Sequence, residues 1–269
     1  MAITCGEVGT IRKQKVIYYS DELTDEFSDA VITPRKIDGS YVYCHDSLWK
    51  RFTHFFWYRI IGTPFAYVYC KLKFGLKIIG KEKLKSTSEG YFLYGNHTQD
   101  IGDPLIPNLI NFHTTDYFIV HPNNVSMPVL GKVTPSMGAL PLPDTTDAYR
   151  NFLGAVKRRI RERCCVVIYP EAHIWPYYTK IRNFPDTSFE YPVRFDAPVY
   201  CFTNTYQERR FSKKPRIVTY VDGPFLADSS LDRREGKKNL RDRVYAKMCE
   251  RAENSTVEYI KYVRRETDG

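Results

Sequence analysis

The sequence predicts an α/β fold, a central mixed sheet flanked by helices with an N-terminal amphipathic, membrane-associating helical segment. Three observations predict it. From residue 91 onward short apolar runs alternate with helical patterns, the order expected of strands and helices packed in layers. Between two of those runs lies a clear 3.6-residue apolar stripe. Ahead of them, residues 48–79 concentrate aromatic and aliphatic side chains between basic flanks.

Residues 1–47 are polar and Tyr-rich, with scattered acids at Asp21, Glu22, Asp25 and Glu26, and Pro34 and Gly39 break any long periodicity. They read as an extension wrapped on the main body. The next unit, 48–79, is punctuated by Lys50, Arg51, His54, Arg59, Lys71, Lys73 and Lys77. A spanning helix needs about 20 predominantly apolar residues, so the stretch does not cross a bilayer. Two short helices joined at Pro64 and lying in the headgroup layer fit its composition, with Trp49, Trp57 and the tyrosines at the interface. A pair of core helices is the alternative.

Residues 80–269 form the α/β unit. Strands are predicted at 91–96, 116–121, 164–170, 197–202 and 216–224. Tyr149, Phe152, Leu153, Val156 and Ile160 share one helical face, so 146–162 is an amphipathic helix entered through Pro143-Asp144-Thr145. Its basic end, KRRIRER, suits a helix C-terminus. A second, strongly charged helical pattern runs over 232–264, with Leu240, Val244 and Met248 on one stripe.

Composition narrows the function classes. The 269 residues are 43% hydrophobic and 26% charged, which excludes a disordered tail and a multi-span membrane protein. Forty Lys and Arg against 31 Asp and Glu leave a net charge of +9, favouring anionic partners such as a phospholipid surface, a phosphorylated cofactor or nucleic acid. Nucleic acid is set aside because no reading motif is present and the basic residues are interleaved with acids. Seven cysteines, an odd number with no C-x-x-C pair, suggest neither a disulfide framework nor a zinc site, so no metal is expected and a reducing compartment is the simpler reading. The N-terminal fifteen residues lack an apolar stretch after a basic one, which argues against a cleaved signal.

Three constellations carry chemistry. In GNHTQDIGDP, 95–104, a strand delivers Asn96 and His97 into a loop, with a carboxylate following. An imidazole at an open sheet end can take a proton from an attacking hydroxyl while the carboxylate holds its other ring nitrogen. Asp103 and Asp100 compete for that orienting role. Asp103 before Pro104 would equally suit a helix N-cap. In VVIYPEAHIWPYYTKIRNF, 166–184, a strand ends in Pro170-Glu171, followed by His173, Lys180 and Arg182, a set suited to an anionic substrate or to orienting an acceptor, or simply to a salt-bridged loop. In GKVTPSMGALPLPD, 131–144, Lys132 and Thr134 can donate to phosphate.

In this order the pieces resemble the lysophospholipid acyltransferase family, typified by 1-acylglycerol-3-phosphate acyltransferases. Asn96-His97 with Asp103 looks like the family's N-H-x4-D block, Lys132 to Pro141 like its second block, Pro170-Glu171-Ala172-His173 like its Pro-Glu-Gly-Thr block, and Ala197-Pro198-Val199-Tyr200 like its proline-containing strand. The resemblance covers roughly residues 50–225. It departs in a five-residue His-to-Asp spacing, with Gly102 available to absorb the extra residue, in Ala172, His173 and Ile174 where the family has Gly, Thr and Arg, and in a second block without arginine.

The resemblance implies a monotopic enzyme on the cytoplasmic face of a membrane, transferring a fatty acyl group from acyl-CoA or acyl carrier protein to the hydroxyl of a lysophospholipid. It implies His97 as base and Asp103 as its partner, with Asp100 in reserve. Asn96, Lys132, Glu171, His173, Lys180 and Arg182 are then substrate-binding, and no cofactor beyond the acyl donor is needed. The altered third block leaves a second reading, a catalytically inactive lipid-binding module of the same fold.

Overall fold

The computed structural model describes residues 14–27, 33–44, 47–85, 87–210 and 212–265. The first thirteen residues of the predicted extension lie outside them. Along the chain run β1 (Lys15–Tyr19), α1 (Leu48–Phe55), α2 (Thr63–Tyr69), β2 (Lys77–Ile79), β3 (Tyr91–Gly95), α3 (Ile106–Ile110), β4 (Asp116–Val120), α4 (Leu130–Val133) and β5 (Ala139–Pro141). There follow α5 (Thr146–Arg161), β6 (Cys165–Ile168), α6 (Glu190–Phe195), β7 (Val199–Gln207), β8 (Arg216–Phe225), α7 (Arg233–Ala252) and β9 (Ile260–Arg264).

Seven strands form one sheet in the order β2-β8-β7-β3-β6-β4-β5, and β1 pairs with β9 in a separate two-stranded ribbon. Every neighbouring pair in the large sheet is parallel except β7 with β8, so the sheet is mixed, as expected. β3 sits at its centre with all five residues buried, the environment that makes a parallel strand read as a continuous apolar run. Its side chains alternate between two cores. Phe92 and Tyr94 pack with Phe152 and Val156 of α5 and with Leu240, Val244 and Met248 of α7. Tyr91 and Leu93 face the opposite core, with Cys70 and Phe74 of the N-terminal helical segment and Ile106 and Ile110 of α3.

α5 begins where predicted, with the Thr145 hydroxyl accepting from the Ala148 N–H at 3.3 Å. The wrapped extension is tied to this entrance: the Ile37 N–H donates to Asp144 Oδ2 at 2.6 Å and the Asn151 side chain donates to the Gly39 carbonyl at 3.0 Å.

Two expectations are corrected. The helix predicted over 232–264 stops at Ala252, where the Asn254 and Ser255 N–H groups turn back onto the Arg251 and Ala252 carbonyls. The alternating, β-branched and aromatic IKYVR that follows is β9, paired in parallel with β1 from Lys15↔Ile260 to Tyr19↔Arg264.

The second correction concerns residues 48–79. Pro64 does not divide two helices. The helical run is continuous from Leu48 to Phe74, with the turns at Phe56–Gly62 and Cys70–Phe74 wound wider than an α-helix. Proline in a regular helix interior clashes with the carbonyl four residues back. Here the Thr63 N–H and hydroxyl both reach the Tyr58 carbonyl, five residues back, and the enlarged turn accommodates the ring. The run ends at Gly75, whose φ of 55° is the left-handed conformation glycine adopts without cost.

This run has two faces, one packed against the sheet as the core-helix reading expects and one exposed. Tyr58, Thr63, Ala66, Cys70 and Phe74 recur about every fourth residue and are buried against the sheet. Leu48, Trp49, Phe52, Phe55, Ile60, Ile61, Phe65, Val68 and Leu72 are exposed. No helix among the described residues is long and apolar enough to cross a membrane.

The buried face is fixed by a polar knot. The Tyr58 hydroxyl donates to Asp116 Oδ2 at 2.8 Å and accepts from the Asp116 N–H at 3.0 Å, while the Asn111 amide donates to Asp116 Oδ1 at 2.6 Å. Burial pushes the Asp116 carboxyl up to about 6, against the opposing pull of the Asn111 and Tyr58 hydrogen bonds. An acid whose folded pKa lies above its ordinary 3.8 binds more protons folded than unfolded, so its contribution to stability falls as pH rises from about 4 to about 6. Asp116→Asn is expected to flatten that part of the stability profile, read from urea midpoints across this range. An unchanged slope would show that Asp116 does not carry the linkage.

Candidate functional site

β3 and β6 are hydrogen-bonded neighbours, with Tyr94 opposite Ile168, so the loops leaving their carboxyl ends meet at one edge of the sheet. That edge is where open α/β sheets place their ligand sites. The first loop carries Asn96 and His97, the second Tyr169, Pro170 and Glu171.

The geometry of the first loop is set by its backbone. Asn96 clamps it to β7, its amide nitrogen donating to the Asn204 carbonyl at 3.0 Å and its amide oxygen accepting from the Asn204 N–H at 2.8 Å. The chain then makes one helical turn, the Asp103 N–H donating to the Gln99 carbonyl at 2.9 Å. This turn absorbs the longer His-to-Asp spacing. It needs Gly102, at which a Cβ would lie 2.8 Å from the Gln99 Cβ and 3.1 Å from the Phe74 ring.

The turn brings Asp103 back onto His97. Asp103 Oδ2 lies 2.7 Å from His97 Nδ1 and accepts from the Gln99 N–H at 3.0 Å. Asp100, the other candidate, is exposed. Burial pushes the Asp103 carboxyl up, opposed by the hydrogen bond and charge of His97. With the carboxylate as acceptor, Nδ1 carries the ring hydrogen and Nε2 presents a lone pair. The His97 side chain is 18% exposed, that of Asp103 only 1%.

Tyr169, absent from the sequence-derived candidates, completes the arrangement. Its ring stacks on the imidazole with centroids 4.5 Å apart, and its hydroxyl donates to the Asp103 carbonyl at 2.6 Å. The signal for it was its place next to Pro170-Glu171 at the end of an apolar strand; it was not picked out because such a tyrosine reads as core.

Glu171 and Arg182, expected to face a substrate pocket, are buried against each other. Arg182 Nη2 donates to Glu171 Oε2 at 3.2 Å, and their side chains are 1% and 0% exposed. Glu171 also accepts from the backbone N–H of His97 and of Arg182, each at 3.2 Å. Burial pushes its carboxyl up, with the Arg182 charge the largest opposing influence. Its direct service is therefore to the histidine loop. Arg182 further donates to the His173 carbonyl and lies over the Trp175 ring at 4.9 Å.

The N-terminal extension closes over this pair. Arg182 reaches the Glu22 carbonyl, the Trp175 indole donates to the Asp25 carbonyl at 2.8 Å, and His173 Nδ1 lies 3.1 Å from Glu26 Oε2. Lys132, on α4, and Lys180 are exposed, and neither forms a hydrogen bond or ion pair with His97, Asp103 or Glu171. The second block instead packs beside the N-terminal helical run, with His54 Nδ1 at 2.7 Å from the Ser136 carbonyl. Among the described residues no group of three His, Cys, Asp or Glu side chains is placed to hold a metal ion. A cavity of about 700 Å³ bounded by Lys81, Tyr91, Asn111, His113 and Arg163 lies where β3 begins, at the far end of the sheet from His97.

An imidazole backed by a buried carboxylate thus stands at the carboxyl end of the central parallel strand. No family model matches the chain, and no curated protein matches it. Among solved structures it is similar to the 1-acyl-sn-glycerophosphate (LPA) acyltransferase, PlsC, from Thermotoga maritima, with a TM-score of 0.50 and 15% sequence identity over 78% of this chain and 95% of that one. The likeness establishes a shared fold.

Removing one member of a buried ion pair typically costs about 3–5 kcal/mol because the other is left charged and uncompensated. Arg182→Ala is expected to lower unfolding stability by that order. Adding Glu171→Gln should recover part of the loss, measured by urea denaturation, whereas additive losses would show that the two side chains are not coupled.

Proposed function

We propose that the protein is an acyltransferase that moves a fatty acyl group from an acyl thioester, acyl-CoA or acyl carrier protein, to the hydroxyl of a lysophospholipid such as 1-acylglycerol-3-phosphate. The observation that carries this reading is the 2.7 Å contact between His97 Nδ1 and Asp103 Oδ2 at the sheet edge, with the ring still partly exposed. The fold shared with PlsC supports it.

In this mechanism His97 Nε2 takes the proton of the acceptor hydroxyl as that oxygen bonds to the thioester carbonyl carbon. Asp103 balances the imidazolium that forms. The tetrahedral adduct collapses with cleavage of the carbon–sulfur bond, and the imidazolium returns its proton to the departing sulfur. Ester and thiol are the products, and no covalent enzyme intermediate or metal is required. Tyr169, stacked on the ring, and Glu171, holding the His97 N–H, fix the direction of the imidazole. Both are positioning residues.

The exposed aromatic face of residues 48–74, with Lys50, Arg51, Lys71 and Lys73 along it, supports a monotopic attachment to the cytoplasmic leaflet. Each cation near an anionic surface contributes on the order of 1 kcal/mol. A bilayer-soluble acceptor would then reach His97 without crossing water.

His97→Ala is expected to lower kcat by about 10²–10⁴ with a labelled acyl donor and a panel of lysophospholipids. Equal turnover by the wild type and His97→Ala would refute the assignment, and no turnover by either would favour the lipid-binding module. Activity should be lost as pH falls, because protonating Asp103, whose carboxyl is already pushed up by burial, removes the acceptor that holds His97 Nδ1. Asp103→Asn should lower kcat while leaving the fold intact by circular dichroism.

Trp49→Glu combined with Phe52→Glu places two charges on the exposed face. It should abolish co-sedimentation with vesicles rich in anionic phospholipid, and retained sedimentation would rule out this face as the attachment surface.

A further inference from the structure

A basic cavity of about 520 Å³ lies at the edge of the sheet, lined by Lys71, Gly75, Lys77, Arg209 and Arg216 together with Leu76 and Ile78. The lining holds four cations and no carboxylate. Among the described residues none of the four forms an ion pair. Arg209 is anchored: its guanidinium donates to the Leu72 and Lys73 carbonyls, each at 3.2 Å, at the end of the N-terminal helical run. The guanidinium lies beside Gly75. A set of like charges held together without counter-charge disfavours itself unless an anion joins it.

The topology places this cavity relative to His97. β7 runs parallel to β3, and β8 returns antiparallel from Arg216, which pairs with Gln207. Lys77 pairs with Val218, and Val218 with Thr205, one residue beyond the Asn204 that clamps Asn96. Lys77 is thus nearly level with the histidine loop, across the three strand steps from β3 through β7 and β8 to β2. At roughly 4.8 Å per step that is about 14 Å.

That separation discriminates between substrates. In a lysophosphatidate only a few bonds lie between the free hydroxyl and the phosphorus, too short a link to occupy both places. In a coenzyme A thioester about thirteen bonds separate the sulfur from the first phosphorus. If three bonds of such an amide-containing chain advance at most ~3.3–3.6 Å, as in an extended peptide, the arm reaches about 15 Å.

We propose that Lys71, Lys77, Arg209 and Arg216 form the subsite for the phosphate-bearing end of an acyl-CoA donor. The proposal rests on the acyl-transfer reading above and assigns the donor and where its nucleotide end binds. With the thioester at His97, the pantetheine arm spans the strand ends and the diphosphate and ribose phosphate meet the four cations. The same phosphate chemistry occurs in free phosphate and in anionic lipid headgroups, and the experiment separates them.

The test is the Lys77→Ala/Arg216→Ala double variant, which keeps the anchored Arg209. Steady-state rates are measured with acyl-CoA and with the same acyl group on N-acetylcysteamine, a thioester without phosphate. The ratio of kcat/KM for acyl-CoA to that for the truncated donor should fall at least tenfold, through KM. Equal loss with both donors, or a rise only in acceptor KM, overturns the proposal. So does loss of anionic-vesicle binding with the donor ratio intact, which would assign the cavity to lipid headgroups.

Binding of CoA itself by calorimetry keeps the two readings apart. Wild-type binding that the variant loses, and that millimolar inorganic phosphate does not displace, supports the subsite even if no turnover is found. Turnover with acyl-CoA that the variant retains in full removes the subsite and leaves the acyl-transfer reading standing. Absence of CoA binding by the wild type overturns the subsite.

Discussion

Glu171 accepts the backbone N–H of the histidine, and much of the site follows from that one buried carboxylate. A charge so placed must be compensated where it stands, and Arg182 does this while also tying down the chain that follows. The histidine loop is thereby held from the β6 side by Glu171 and from the β7 side by Asn96, which meets Asn204. Between these two restraints the imidazole has little freedom except rotation of its own ring, and Tyr169 and Asp103 limit that. The direction of that one ring depends on groups that never leave the interior.

Much of this architecture was legible in the sequence, for stated physical reasons. The five apolar runs were short, rich in β-branched and aromatic residues and bounded by turn residues, and each became a strand of the large sheet. Thr145 was legible as a helix cap, and Leu240, Val244 and Met248 as one stripe. β9 was missed because helical and strand patterns overlap where charges are frequent, and only pairing with distant β1 decides between them. Pro64 misled because its usual effect assumes regular helix geometry, which a wider turn relaxes.

At the site, His97 and Asp103 were readable from residue type and order, but the choice between Asp103 and Asp100 was not. It depends on the turn that Gly102 permits, hence on packing against Phe74 in a different element. Glu171 and Arg182 were found, and of the two surroundings the sequence left open, a substrate pocket or a salt-bridged loop, they lie paired with each other in the interior. A glutamate at a strand end followed by an arginine reads the same whether it opens on a pocket or is covered, and the cover comes from Glu22, Asp25 and Glu26, far away in the chain. Long-range closure of this kind leaves no local mark.

The β1–β9 ribbon gives that cover a mechanical character. Its strands come from opposite ends of the described chain, and Trp175 stacks on Tyr262 of β9 and lies against Tyr19 of β1, beneath the clasp they form. Because neither strand has another sheet partner among the described residues, fraying of either one releases both, and the lining over Arg182 loosens as a unit. The cover over Arg182, and through Glu171 the histidine loop, thus rests on two strands about 240 residues apart that hold only as a pair.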